Sequence, residues 1–394
     1  MTQTIHPLAS ELLETLADRL DIPRSLYERA VARHKSLGEW LCRPESRIAV
    51  YDPHVSPQGS FRYGTVIRPL LEGEEYDLDN VTTLKIPKTA MTQKELKELY
   101  MGEIKSYAEA HNMLAPIEDK NRCCRLVYAD EVDFHLDTLP CVPEDAAHFA
   151  ALIQAGVSVE LARRAVAITD RRHPDYERIT AKLFSSNPRG FARWFESRAR
   201  QVAERRIQKL VEGRLYASVD DVPPYEWKTP LQRSIQILKR HRDVMFRKNP
   251  ELGPISMIIT NLAAHAYTGE SDLALALAEI VERMPNFIRP TRPRVPNPAD
   301  LAEDYADKWR LDPPLEENFW LWHAQVKVDL PNLLGLFSGR DLVKEVATLF
   351  RIDLPQETAK RFANQGQGGT APAVVRSAPV IYAPAAPKPW GSDV

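Results

Sequence analysis

The chain has 394 residues, more than one hydrophobic core usually spans, and so points to two packed domains. Lys and Arg number 52 against 54 Asp and Glu, a net charge of -2, which excludes a global cationic drive towards nucleic acid or membrane surfaces. Hydrophobic residues at 44% with charged residues at 27% exclude a wholly disordered chain. The four cysteines, Cys42, Cys123, Cys124 and Cys141, show neither CxxC spacing nor the density of a secreted scaffold, so a reducing, cytoplasmic setting is expected. Residues 1–10 lack a basic segment followed by an apolar run, and no stretch approaches the roughly 20 apolar residues a membrane helix needs. The segment Ile255 to Tyr267 comes nearest, but Ser256, Thr260, Asn261 and His265 interrupt it, and it reads as a buried core helix.

In chain order, Leu8, Leu12, Leu16 and Leu20 recur at helical spacing. Ser25 with Glu28 reads as a capping box before a second helical stripe through Leu26, Ala30, Leu37 and Leu41. Ile48, Val50 and Tyr51 suggest a short strand entering the turn Ser56-Pro57-Gln58-Gly59-Ser60. Tyr76 to Ile86 reads as a strand with Tyr76 and Leu78 on one face and Asp77 and Asp79 on the other. Thr92 and Glu95 cap a helix through Leu96, Leu99, Tyr100, Ile104 and Tyr107. Two strands follow, Arg122 to Tyr128 and Val132 to Cys141, joined by the polar turn Ala129-Asp130-Glu131 as a hairpin, then a last strand at Ala165 to Thr169. Asn187-Pro188 is a helix start, and long helical patterns continue to about Ala363, with a Pro-rich connector from Arg289 to Pro298. From Gln365 onward Gly, Ala and Pro prevail, and a disordered tail is expected.

The residue types that carry chemistry are Gly59-Ser60, Asp77-Leu78-Asp79 and Asp137. Residues two apart on a strand share a face, so Asp77 and Asp79 can present oxygens to the same hard cation, and Asp137 on another strand can close the site. Two magnesium ions, with manganese as an alternative, would then serve an in-line displacement with a departing pyrophosphate. Gly59 permits close approach of backbone to a triphosphate, and the Ser60 hydroxyl can hold its oxygens. Taken singly, an Asp-x-Asp is equally the mark of a solvated strand edge, and Gly-Ser of a plain turn. Acidic side chains on an otherwise apolar strand nevertheless need a partner, because an unpaired buried carboxylate is costly. His135 invites a zinc site with Asp133 and Asp137, but no Cys or second His falls at zinc spacing, which favours a hydrogen-bonding histidine. Cys123 and Cys124 read as strand residues and not nucleophiles, and Arg193, Arg198, Arg200, Arg205 and Arg206 as a charged exposed helix.

The segments Gln58-Gly59-Ser60-Phe61-Arg62-Tyr63-Gly64-Thr65, Tyr76-Asp77-Leu78-Asp79 and His135-Leu136-Asp137-Thr138-Leu139-Pro140 resemble the active site of the bacterial CD-NTases, the cGAS/DncV-like nucleotidyltransferases of the polymerase-β superfamily. The resemblance continues through Ser186 to Phe195, Leu238 to Asp243 and Asn297 to Trp309, and covers nearly everything except the tail. It implies an α+β fold, with a polymerase-β-like nucleotidyltransferase palm built on a mixed sheet and followed by a helical lobe. The expected boundaries are N-terminal helices 1–45 packing on the palm, a palm at 46–180, a helical lobe at 181–364 and a tail at 365–394.

By the same resemblance Asp77, Asp79 and Asp137 become metal ligands, with Asp137 closest to the attacking hydroxyl, and Gly59 and Ser60 the triphosphate clamp. Lys239 and Ser256 become a second grip on the donor triphosphate, against the plainer alternative of a solvated basic helix with an ordinary cap. The implied activity joins ATP, GTP or another nucleoside triphosphate into a cyclic di- or trinucleotide signal for antiphage defence, with adenine the favoured base. The alternatives are a linear oligonucleotide synthase, nucleotide transfer to another acceptor, and a non-catalytic scaffold acting through its tail. The implied partner of the tail, 366–394, is a HORMA-like or ligase-like regulatory protein; neither a membrane nor an activating nucleic acid is expected.

Overall fold

The computed structural model describes residues 9–71, 73–128, 134–200, 228–334 and 339–365. The turn at 129–131, Asp133, Arg205, Arg206 and the tail from 366 onward lie outside the described residues. The chain divides into two compact units, one formed by Asp21–Gln232 with Pro296–Glu303, the other by Met1–Leu20, Arg233–Val295 and Asp304–Val394.

The first unit is built on a seven-stranded mixed sheet. Its strands are β1 (His54–Gln58), β2 (Tyr76–Thr83), β3 (Glu118–Asp119), β4 (Cys124–Tyr128), β5 (Phe134–Pro143), β6 (Val166–Ile168) and β7 (Phe184–Ser186). They run in the order β1-β2-β5-β4-β3, with β6 pairing the far end of β5, and β7 pairing β6. β2 and β5 are parallel and the other pairs antiparallel. A parallel pair cannot be joined by a tight turn, and the connection here includes the helix Gln93–Ala110. That helix starts as its sequence dictates: the Thr92 side chain accepts from the Glu95 N–H at 3.1 Å while the Thr92 N–H donates to the Glu95 carboxylate at 2.8 Å.

Strand alternation sends Tyr76 and Leu78 of β2, Leu126 of β4, and Phe134 and Leu136 of β5 into one core with Leu96, Tyr100 and Ile104 of that helix and Leu26, Leu37 and Leu41 of the helix Arg24–Cys42. The opposite face of β2 and β5 carries Asp77, Asp79 and Asp137 towards one end and a small apolar cluster, Val81, Leu139 and Cys141 with Val166 and Ile168 of β6, towards the other.

The second unit is helical. Its first helix, Ala9–Leu20, buries Leu12, Leu13, Leu16 and Leu20 and packs on the helix Leu273–Arg283. The Ser10 hydroxyl accepts from the Ala274 N–H at 3.0 Å and donates to Asp272, fixing the contact. The helix Ser256–Ala266 is buried nearly all round, as expected for that segment. Among the described residues no helix is long and apolar enough to cross a membrane.

Several expectations need correction. Ile48 to Tyr51 is not a strand: Ala49–Tyr51 is a single 3-10 turn ended by Asp52 at φ 46°. The first strand is instead His54–Gln58, so Ser56, Pro57 and Gln58 belong to the sheet, not to a turn. Ser25 and Glu28 form no capping box; Pro23 precedes the helix without a side-chain cap and Glu28 pairs with Arg24 at 2.9 Å. The segment 1–45 does not stay together, because its first helix groups with the helical unit and only the second joins the palm core. Residues 181–200, 228–232 and 296–303 group with the palm, not the helical lobe. The connector at 289–298 contributes a short strand, Pro296–Asn297, paired with Asp300–Asp304.

Candidate active site

The β2–β5 register brings the sequence-distant acids together. Asp79 lies directly beside Asp137 and Asp77 directly beside His135, all on the sheet face opposite the core. On the far side of β2, Gln58 is the register partner of Asp79, and the next residue, Gly59, turns the chain into the short helix Gly59–Tyr63. Gly59 has φ +64°, and a Cβ there would lie 2.1 Å from Asp79 Oδ2. Only glycine satisfies both the backbone and the space. The turn is closed by Thr65 N–H on Ser60 O at 2.9 Å and Gly64 N–H on Phe61 O at 3.2 Å. The sheet therefore places Gly59 and Ser60 against Asp79, with Asp77 and Asp137 on the neighbouring positions.

Two further residues complete the cluster: Arg125, which the sequence reading passed over, and His135, which it favoured as a hydrogen-bonding histidine. Arg125 of β4 is the register partner of Asp137 and forks onto it, Nε to Oδ1 at 2.7 Å and Nη2 to Oδ2 at 2.8 Å. Its Nη2 also lies 3.9 Å from Asp77. These carboxylates hold the Arg125 guanidinium even more firmly protonated than usual. His135 does not join Asp137; its ring nitrogens meet Asp77 and Glu75. Burial opposes charging that ring, and the Asp77 and Glu75 carboxylates raise its pKa above the ordinary value nonetheless. The zinc grouping with Asp137 is thereby displaced by a hydrogen-bonding histidine. Arg125 was legible only as an alternate residue on a strand; its role follows from strand register.

Asp79 has no ion pair among the described residues. Burial, and then the Asp77 and Asp137 carboxylates, push its pKa up to about 7. The Cys123 thiol, raised to about 12 by burial and by Asp137, hydrogen-bonds to that carboxylate as a neutral group. Cys124 is buried on the core face, in keeping with a packing role.

The donor set suits a hard divalent cation: three carboxylates on adjacent positions, one of them partly buried without a cationic partner, beside a glycine backbone. In this conformation no three His, Cys, Asp or Glu side chains among the described residues converge on one ligand point. Both oxygens of Asp137 are held by Arg125.

Lys239 and Ser256 belong to the helical unit. Lys239, Arg240 and His241 are buried on the helix Pro230–Met245, so this is not a solvated basic helix. Ser256 is the first residue of its helix, not the cap, and its hydroxyl accepts from Arg242 Nη2 at 3.3 Å. The arginines of the helix Pro188–Arg200 behave as a charged surface, with Arg193 and Arg200 each 3.6 Å from Glu196. A cleft of about 790 Å³ lined by Lys94, Lys105, Arg171 and Tyr176 contains none of the acidic-site residues; Lys94 and Lys105 stand on the helix that packs the core face of the sheet.

A mixed sheet carrying a glycine turn against paired aspartates, with a third aspartate on the neighbouring parallel strand, defines a nucleotidyltransferase. Residues 53–140 match the family described as cyclic GMP-AMP synthase DncV-like, nucleotidyltransferase domain. The chain is 28% identical over 324 residues to a c-di-GMP synthase of Roseivirga ehrenbergii, covering 81% of this chain and 78% of the relative. It is 26% identical over 331 residues to the cyclic dinucleotide synthase CdnG of Bradyrhizobium diazoefficiens, covering 77% of this chain and 70% of the relative. The solved structure of that CD-NTase in complex with GTP superposes with a TM-score of 0.65 at 21% identity, covering 91% of this chain and 98% of that one. In sequence and in fold the chain is thus similar to the bacterial CD-NTases.

Proposed function

We propose that the protein is a metal-dependent synthase of cyclic oligonucleotides, joining nucleoside triphosphates by attack of a ribose hydroxyl on an α-phosphorus, with pyrophosphate leaving. The observation that carries this reading is the Gly59 backbone set against Asp79, with Asp77 and Asp137 on the adjoining register positions.

Asp77, Asp79 and Asp137 would hold magnesium, which when bound neutralises phosphate charge and activates the attacking oxygen. Gly59 lets the phosphates approach the main chain, and the N–H groups of the first helical turn and the Ser60 hydroxyl hold their oxygens. Asp137, once released from Arg125, would orient the attacking hydroxyl. Lys239 and Ser256 enter the reading as nucleotide contacts from the family resemblance and not from geometry. Lys239→Ala should raise the KM for nucleotide with kcat less affected; unchanged kinetics would return Lys239 to packing alone.

The relatives favour guanine where the sequence reading favoured adenine, since one is named for c-di-GMP and the other was solved with GTP. Incubating the protein with GTP, ATP and their mixture in magnesium, followed by mass spectrometry, tests the proposal. Cyclic products support it; linear products would assign the enzyme to oligonucleotide extension. Product from GTP alone or from the mixture fixes the base choice. The role in antiphage defence follows from the family resemblance, and is tested by phage challenge of cells carrying wild type or the Asp77→Asn, Asp79→Asn protein. A HORMA-like or ligase-like partner of the tail 366–394 would be recovered with the full chain and lost on truncation after Ala363.

A further inference from the structure

We propose that Arg125 is a latch on the metal site: its guanidinium occupies both oxygens of Asp137, and a divalent cation must displace it to gain that ligand. The inference rests on the assignment of Asp77, Asp79 and Asp137 as metal ligands. It is carried by a separate observation, the forked contact of Arg125 with Asp137 at 2.7 and 2.8 Å. The contact is built into the fold, because the antiparallel β4–β5 register sets Arg125 directly opposite Asp137 on the acidic face.

Two parallel N–H donors on one carboxylate take one lone pair of each oxygen, on the side that a chelating cation would use. The Asp137 side chain is 19% exposed and that of Arg125 25%, so water screens the pair only in part. Arg125 also reaches within 3.9 Å of Asp77, so its charge bears on two of the three ligands. The third ligand, Asp79, has no ion pair among the described residues and is raised in pKa by burial and by its acidic neighbours. Release of Asp137 then depends on what the incoming metal and triphosphate together contribute. Metal loading is thereby coupled to substrate, and the site without substrate keeps its acidic cluster partly neutralised.

A latch and a mere background charge make different demands on the side chain. Lysine retains the charge but cannot fork across a carboxylate, so Arg125→Lys weakens a latch while preserving the field. Arg125→Gln removes both. The experiment measures Mn2+ binding to the full chain without nucleotide, by electron paramagnetic resonance of free Mn2+, for wild type, both variants, and the Asp77→Asn, Asp79→Asn protein as reference. Both Arg125 variants should bind Mn2+ more tightly than wild type, by about five-fold or more, the lower end of ordinary coupling between competing ligands.

Tighter binding in Arg125→Gln alone would show a charge effect without a latch and overturn the proposal. Unchanged or weaker binding in both would also overturn it. If Arg125→Gln fails to fold, Arg125→Lys decides the question by itself. If neither wild type nor either Arg125 variant binds Mn2+ more tightly than the double aspartate variant, the metal assignment itself falls, and the latch with it. If wild type binds and the lysine variant is unchanged, only the latch falls.

Discussion

Asp79 shows how local environment sets the chemistry of one side chain. Its carboxylate is pushed up to about 7 by burial and by Asp77 and Asp137, a repulsion that a bound cation would relieve. Asp77→Asn with Asp79→Asn should abolish nucleotide synthesis while the metal-free protein stays folded, because relief of the repulsion on Asp79 offsets the lost contacts of Asp77 with His135 and Arg125. Product formation by the folded double variant would sink the metal-site assignment; mass spectrometry and a thermal melt are the two readouts. Gly59 is the second residue whose replacement is decided by geometry. Gly59→Ala faces a left-handed φ, which costs about 1–2 kcal/mol for a residue with a Cβ, as well as a contact of 2.1 Å with Asp79. Synthesis should fall by at least about ten-fold, the equivalent of 1.4 kcal/mol at the transition state. Near wild-type turnover would show that the Gly59–Asp79 approach is not part of the working site.

At the level of elements, the segment after β6 is held by one buried carboxylate. Asp170 is fully buried, receives Arg122 Nε at 2.7 Å and Arg172 Nη2 at 2.8 Å, and its own N–H donates to Gln93 at 2.9 Å. This ties β6 to the start of the helix Gln93–Ala110 behind the sheet. Burial opposes ionisation, but the Arg172 and Arg122 guanidiniums outweigh it and hold the Asp170 pKa well below the usual carboxylate range. A carboxylate depressed in the folded state contributes stability that is present above its unfolded pKa and lost as pH falls towards the folded one. Asp170→Asn should therefore destabilise by about 2–3 kcal/mol at neutral pH, with the deficit shrinking below about pH 4. Chemical denaturation of both proteins at several pH values checks the magnitude and the sign; a deficit that grows in acid would refute this account of Asp170.

At the scale of the whole molecule, the division into units assigns the first helix to the helical unit, although it precedes the palm in sequence. Leu16 is wholly buried there. Leu16→Ala should cost about 3 kcal/mol through lost burial and the cavity left behind. Hydrogen exchange should accelerate in Ala9–Leu20 and Leu273–Arg283 and stay near wild type in the β2–β5 pair. Loss of protection centred on the sheet would place the helix in the palm core, as the sequence reading had it.

Much of the site was legible because it rests on local rules. Alternation along Tyr76 to Asp79 put the acids on one face; the Thr92–Glu95 box and Asn187-Pro188 marked helix starts that the structure contains. A glycine followed by serine, an Asp-x-Asp and a later Asp, taken in that order, marked Gly59, Ser60, Asp77, Asp79 and Asp137 as candidates. Strand pairing was not legible, because register depends on the fit of whole sheet faces and not on neighbours in sequence. The parallel pairing of β2 with β5 sets Asp79 beside Asp137 and hands Asp77 to His135, and the antiparallel pairing of β4 with β5 aims Arg125 at Asp137. Nor did periodicity decide where Ala9–Leu20 docks, since an amphipathic helix announces that it will bury a face without naming the surface that receives it. The sequence thus determined which residue types could act and on which element faces they stand, because dihedral periodicity is local. Only the tertiary structure decided which acids meet, which cation holds them and which core each helix joins, because those depend on packing between segments far apart in the chain.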